Sequence, residues 1–513
     1  MLKRKYLYGI LFLVFCFFTI EIAVNIIVPQ VLNNNPNRIY DIAFKKISFS
    51  LLKNSIGIKN ASIIPIKDSI TESSMEGNIP LIEIKNFSLY DLLVHKKLKS
   101  KGVSIYQPDF KIISRKKKQA AADNSKSIGL FWKDFYDRIE LKSVAVKNGR
   151  LEIVKSIDTT QSLLSKNINI EIQGVFIDST QLSNPLPFIY SSYTLNIGNT
   201  FSSIGKWYKV SMQGFKATEK ELIVKKVKVT PKYTRKQFVS KLKKEADYII
   251  CEMDSLKMFN TKWGFYKDSL QINGNSVEID GMRTTLYRDK LVRDDRSKKK
   301  LYSAVLRDLP FYLTIDTLSI ANSELTYEEK TKAQNGPGIL QLKELRMTAS
   351  NIDNFNIHTL KKDTKISLFS KLYGEGKLEM HCNFNIANTK DSYNIHGNLS
   401  NMNLSLVSAF TRPTMNTNVS GYMHELDFII NGSDYDASAV LNFAYENLKV
   451  EILHNKTGNK RAIQTAIANL LLKKNTKKDK VSIEKVYVKR DPSKSIFNQI
   501  WKCIEAGLKK TLL

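Results

Sequence analysis

Four cysteines in 513 residues are too few for a disulfide scaffold. Cys16 lies in an apolar N-terminal run. Cys251, Cys382 and Cys503 are far apart and read as buried free thiols. Twelve prolines and 22 glycines exclude collagen-like and low-complexity classes. The six histidines, His95, His358, His381, His396, His424 and His454, form no HExxH or other ligand spacing. His381 and Cys382 are neighbours, but a strand sends them to opposite faces, so no metal and no cofactor is expected. There is no GxSxG elbow, phosphate loop or dinucleotide fingerprint. Lys371-Leu372-Tyr373-Gly374-Glu375-Gly376 is a glycine-spaced turn between strands, and the carboxylates of Tyr327-Glu328-Glu329 diverge on a strand. No enzyme is expected. Arginine is scarce as well, 15 against 64 lysines. Nucleic-acid readers lean on the arginine fork, so the charge of +30 does not point to nucleic acid. It reads as a solvated Lys-rich surface, with attraction to anionic lipid headgroups as the alternative. The excess of Lys, Asn and Ile looks like compositional bias.

Long hydrophobic runs are also missing, with one exception. After Lys3, Arg4 and Lys5, Tyr6 to Val28 gives 23 mostly apolar residues. As a helix they span about 34 Å at ~1.5 Å per residue, enough to cross a bilayer. The basic flank precedes the run, so Met1 is expected in the cytoplasm and the chain after Val28 outside. A cleaved signal peptide is the rival, but Glu21-Ile22-Ala23-Val24-Asn25 is a poor cleavage site. An uncleaved single-pass anchor in the inner membrane, with a periplasmic body, is the expectation.

The body alternates with period two in about twenty runs, and few helical patterns separate them. Ile168, Ile170 and Ile172 alternate with Asn169 and Glu171, and Leu378, Met380, Cys382, Phe384 and Ile386 with Glu379, His381, Asn383 and Asn385. Leu441, Phe443 and Tyr445 do so with Asn442 and Ala444. Several runs contain one step of three: Ile58 to Ala61, Ile84 to Phe87, Leu141 to Val144, Ile315 to Leu318, Leu399 to Met402 and Tyr445 to Leu448. An odd step flips the face of a flat strand, so keeping the apolar side inward requires a bulge or bend. Repeated bulges curve a sheet; chance and ordinary hairpins are the plainer account. Lys59-Asn60, Lys85-Asn86 and Lys147-Asn148 sit between short apolar pairs, with Asn322 in a similar place, as a weak internal repeat without a fixed period.

Charge breaks divide the chain into a stub at 1–5, the anchor at 6–28, a β segment at 29–114, a basic linker at 115–127, a middle β segment at 128–292, a C-terminal β segment at 301–460, and a helical region at 461–513 with one intervening strand. Within the last region, Arg461 to Lys474 and Ser493 to Leu513 read as helices. Ile496, Phe497, Ile500, Trp501, Ile504 and Leu508 share one face, which caps the sheet or docks on a membrane or partner.

A single anchor followed by Tyr40 to Pro65 and then Ile82 to Ile113 resembles the start of AsmA-like proteins of the bacterial envelope. Leu286 to Asp289, Leu309 to Tyr327, Gly421 to Val450 and Arg490 to Leu513 are similar to the long AsmA-related proteins of Bacteroidota-type envelopes. The resemblance spans most of the chain and rests on hydrophobic phrases. It implies a mainly β fold: a long, curved, mostly antiparallel sheet with an apolar concave side, a β-groove related to bridge-like lipid-transfer proteins. It implies phospholipid as partner, with an envelope protein beside it, and a role in lipid transport or outer-membrane homeostasis. It carries no catalytic residues.

Candidate lining positions are the apolar phases, including Ile170, Ile172, Val224, Leu313, Ile315, Phe384, Leu404, Leu406, Phe428, Leu441 and Phe443. Residues packing a closed β-sandwich would look the same, and a structural scaffold or assembly factor with closed cores is the alternative. About twenty strands at ~4.8 Å each give on the order of 100 Å, short for a complete bridge across the periplasm.

Overall fold

A computed structural model describes residues 40–50, 54–66, 74–88, 97–114, 138–155, 161–178, 184–332, 336–355, 362–453 and 484–512, with a few isolated residues between and before them. The expected anchor Tyr6 to Val28 lies outside these apart from Ile22, Asn25 and Ile26, as do the linker 115–127 and the expected helix after Arg461. No helix of the described residues is long and apolar enough to cross a membrane.

The chain is mainly β and divides into two compact units, Met1–Lys206 with Val210–Glu219, and Trp207–Lys209 with Lys220–Leu513. The division falls inside the segment 128–292 that the charge pattern kept whole. The first unit holds β1 (Tyr40–Ala43), β2 (Lys46–Ser50), β3 (Ser55–Pro65), β4 (Ser74–Phe87), β5 (Lys97–Tyr106), β6 (Asp109–Ser114), β7 (Arg138–Lys155), β8 (Gln161–Asp178), β9 (Ser192–Ile197) and β10 (Thr200–Ile204). β11 (Tyr208–Met212) has residues in both units, and β12 (Gly214–Thr218) returns to the first. The second unit holds β13 (Glu221–Pro231), β14 (Tyr248–Phe259), β15 (Lys262–Tyr266), β16 (Ser269–Asp280), β17 (Arg283–Asp289), β18 (Tyr312–Lys330), β19 (Gly338–Asp353), β20 (Thr364–Leu372), β21 (Gly376–Phe384), β22 (Tyr393–Asn403), β23 (Thr417–Gly432), β24 (Asp436–Ile452) and β25 (Glu484–Lys489). Its helices are α1 (Arg235–Ser240), α2 (Tyr302–Arg307), α3 (Ser408–Met415) and α4 (Ile496–Leu512).

Pairing is antiparallel except where a long connection returns the chain: β7 runs parallel to β5 and β6, and β18 parallel to β16 and β17. Several antiparallel neighbours are joined by tight turns. Lys267 and Asp268 both take positive φ, 46° and 62°, and join Tyr266 to Ser269 as a two-residue hairpin. At the outer edge, Asn25 trades hydrogen bonds with the backbone of Ile47 at 2.9 and 2.5 Å, and Asn33 with Ile42 at 2.8 and 2.8 Å. Each side-chain amide occupies groups that a further strand would otherwise pair.

The odd steps have a definite structural cause. Asn60, Asn86, Asn148, Asn322, Glu344, Asn401 and Asn447 sit inside strands with φ between 50° and 57°. The residue after each, Ala61, Phe87, Gly149, Ser323, Leu345, Met402 and Leu448, is buried. A left-handed residue turns the strand, and the next side chain returns to the face that the alternation had been filling; the ladders shift register at Asn148, Asn322, Glu344 and Asn447 and keep it through Asn60, Asn86 and Asn401. Four of the six steps of three end just after such an asparagine. The step from Leu141 to Val144 lies instead opposite Gly174, whose φ is 62°. The step from Ile315 to Leu318 likewise lies opposite a left-handed residue, Asn351 with φ 58°, and both neighbouring ladders skip Asp316. The Lys-Asn pairs of the weak repeat end on these left-handed asparagines.

The irregularities line up across strands. In the second unit Lys226 (φ 50°) faces Asp254, the chain breaks at Gly281 between β16 and β17, and Asn322 and Glu344 follow on β18 and β19. The polar side of this crease is tied by Lys226 to Asp254 at 2.8 Å, Arg283 to Asp254 at 3.2 Å, and Asn322 Nδ2 to Asp280 at 2.7 Å. Hydrogen bonds from Arg283 and then Lys226 pull the Asp254 carboxyl down to about 2.

Replacing Asn401 with valine places a β-branched residue in the left-handed region, where glycine fits without strain. The expected cost is ~1–2 kcal/mol for Asn401→Val and a near-neutral change for Asn401→Gly, read from denaturant unfolding.

Candidate functional site: apolar rows across the strands

Register converts alternation into continuous rows. In the first unit Ile47, Ile58, Ile82, Ile105, Val146, Ile170, Leu195 and Ala217 are successive cross-strand partners over eight strands. A second row runs Phe49, Ile56, Ile84, Val103, Val144, Ile172, Tyr193. Between them, on the opposite face, lie Ser48, Gly57, Glu83, Ser104, Ala145, Glu171 and Thr194. One face is apolar from edge to edge, while the other carries the polar residues. At ~4.8 Å per strand, eight strands span about 34 Å.

The second unit has a longer row of the same kind. Leu222, Met258, Val277, Leu318, Ala349, Ile366, Cys382, Ile395, Ile430, Ala439 and Val486 are partners in sequence across eleven strands. A parallel row runs from Val224 through Leu256, Ile279, Ile320, Met347, Leu368, Met380 and Gly397 to Phe428 and Leu441. Gly397 interrupts the side chains because the Phe428 ring fills its place; a Cβ there would stand 2.1 Å from that ring.

Most members of the two rows of the first unit are half-buried. The second unit closes its face at the β21 to β25 end. Ile496, Ile500, Ile504 and Leu508 of α4 pack with Val486, Val488 and Leu441, and Cys503 is completely buried. Gly507 lets the helix approach, since a Cβ there would meet Leu441 at 2.3 Å. Leu301, just before α2, and Leu306 within it join the same core, and the Tyr302 ring lies tilted against Phe384 at 4.9 Å. Toward β13, Leu222, Val224, Leu256 and Ile279 are half-buried.

The expected lining residues separate along this gradient. Ile170 and Ile172 sit half-buried in the two rows of the first unit, and Val224 and Leu313 are half-buried in the second. Ile315, Phe384, Phe428, Leu441 and Phe443 belong to the packed core of the second unit, with Leu441 at 0 % exposure. Leu404 and Leu406 do not continue a strand: the chain turns there into a 3-10 turn, Leu404–Val407, started by the Asn403 side chain accepting from Ser405 N–H, and then into α3. Leu404 is buried in the core and Leu406 packs against it. Sequence reading missed the helical cover at Leu301 and Leu306 and the roles of Gly397 and Gly507. Six-residue helices leave little periodicity, and a glycine's contact partner is not written beside it.

The chemistry-bearing residues are dispersed. His381 and Cys382 do point to opposite faces: His381 accepts or donates at 3.0 Å with Ser367 on the polar side, and Cys382 lies in the apolar row. Burial pushes the thiols of Cys382 and Cys503 up to about 11, so both stay protonated near neutral pH. Glu328 accepts from Arg235 at 2.7 Å while Glu329 accepts from Tyr327 at 2.6 Å, so the adjacent carboxylates serve different partners. Among the described residues no three His, Cys, Asp or Glu side chains are grouped to hold a metal. No protein-family model and no curated protein matches the chain.

Phe428 is 3 % exposed in the closed part of the face. Phe428→Asp buries an unpaired carboxylate and should cost about 4 kcal/mol or more, enough to unfold the second unit in a thermal melt.

Proposed function

We propose that this chain is an AsmA-like protein of the bacterial envelope, anchored in the inner membrane by Tyr6 to Val28. Its periplasmic body carries phospholipid acyl chains along a curved apolar β face and contributes to lipid transport or outer-membrane homeostasis. The observation that supports this most is the unbroken row from Ile47 to Ala217, apolar over eight strands with a polar row behind it. An acyl chain in water costs ~0.8 kcal/mol per CH₂. One leaflet's chains are about 15 Å long, half of a ~30 Å bilayer core, so a ~34 Å row covers a tail with length to spare. Movement along it would be passive or driven by a partner, because each step exchanges one apolar contact for another.

A scaffold or assembly factor with closed cores is the second reading. The packing of α4 over Ile395, Ile430 and Leu441, each 1 % exposed or less, favours it for the C-terminal end.

Native mass spectrometry with lipid extraction on the full chain separates the two. The carrier reading expects co-purified phospholipid, and expects Val146→Glu, at a half-buried site in the first unit, to lose it with little change in melting temperature. A lipid-free wild type, or a Val146→Glu protein that keeps its lipid, would leave the scaffold reading.

A further inference from the structure

The face of the second unit that points away from its core has an unusual composition on β21 to β24. Three rows cross these four strands. The first is Asn383, Asn394, Asn431 and Ser438. The middle one is His381, His396, Ile429 and Val440. The third is Glu379, Asn398, Asp427 and Asn442. Lys and Arg make up 79 of 513 residues, yet none of these twelve positions is basic. Lysines return at its margins, Lys377 on β21 one row beyond Glu379, Lys365 on β20 and Lys485 on β25.

We propose that this face binds a neutral glycan. Amides supply a donor and an acceptor each, and a sugar hydroxyl needs both. The amides are held by cross-strand partners: Asn394 Nδ2 donates to the Asn431 amide oxygen at 2.8 Å, and Asn398 Nδ2 to the Glu425 carboxylate at 2.9 Å. His396 is fixed by Asp427 at 2.8 Å. Ile429, 41 % exposed, and Val440 form an apolar strip in the middle row, where the C–H face of a pyranose would lie. Tyr487, 74 % exposed and with the Lys485 ammonium 5.2 Å from its ring centre, extends the first row beyond Ser438 and adds an aromatic ring at its end. The patch measures about 14 Å by 14 Å, room for roughly two to three sugar rings. Its twelve positions hold no Lys or Arg and two carboxylates, Glu379 and Asp427, which disfavours polyanions; the Lys-rich remainder of the surface would attract those instead. This face is opposite the apolar rows, so the inference stands apart from the lipid reading.

The test is saturation-transfer NMR and calorimetry on the full chain with three neutral probes, chitotetraose, cellotetraose and maltotetraose, and a tetragalacturonate control. At least one neutral probe should bind with a Kd of ~1 mM or tighter, and more tightly than the control. Asn394→Leu with Asn431→Leu, and separately Tyr487→Ala, should each weaken it at least ~tenfold without moving the melting temperature. Ile429→Lys, at an exposed position, should weaken the neutral probe and strengthen the control, which keeps the test usable if the double variant folds poorly. No neutral binding at ~10 mM, binding unchanged in Tyr487→Ala and Ile429→Lys, or preference of the wild type for the control would each overturn the proposal.

Discussion

The fold depends on keeping apolar side chains on one side of strands as long as 19 residues. A twisted strand of that length bends, and every bend threatens to turn the apolar phase toward water. The chain solves this with single left-handed residues placed in the strand, not at its end. Each turns the strand and returns the next side chain to the apolar face, and at Asn148 and Asn447 the ladder also shifts register by one position. Lys59-Asn60 before Ala61 and Lys85-Asn86 before Phe87 are the plainest cases. Asparagine suits the site because its short polar side chain tolerates this region better than other residues bearing a Cβ.

Once the phase is conserved, register does the rest. Antiparallel and parallel ladders alike place equivalent residues side by side, so an apolar strand becomes an apolar row. The row has no intrinsic end within a unit; it stops where a helix covers it or where the strands stop. In the second unit α4 covers it, and the contact is close enough to require Gly507 against Leu441. A helix of this kind converts a surface that could hold a ligand into a core that holds the protein.

Much of this was legible beforehand. The alternation predicted the strands, four of the six odd steps end just after a left-handed asparagine, and the C-terminal helix lies within its expected range. The Asn excess had looked like compositional bias. In fact eleven of the eighteen described non-glycine residues with positive φ are asparagines, so part of the excess has a backbone use. What could not be read was long-range. Nothing in the phrase around Leu404 and Leu406 says that the chain leaves the sheet there, since the same apolar spacing serves a strand and a 3-10 turn. Nor does local sequence distinguish Ile172, half-buried in one row, from Leu441, sealed in another. Burial depends on a helix 55 or more residues further along the chain.

The same alternation that builds the apolar rows also builds the opposite face, and there selection is free to differ. Across the first unit that face carries lysines beside its bulges, at Lys59, Lys85 and Lys147. On β21 to β24 it carries amides and imidazoles instead. Fold stability does not demand the change, because side chains on the outer face contribute little to burial whichever polar type they are. Nor does solubility, which added charge would serve better than amides. Inter-strand amide pairs such as Asn394 with Asn431 restrict rotamers on a surface that would otherwise be mobile. A hydrogen-bonded lattice of amides, imidazoles and carboxylates on the back of a packed core costs side-chain entropy, and a specific binding function would offset that cost.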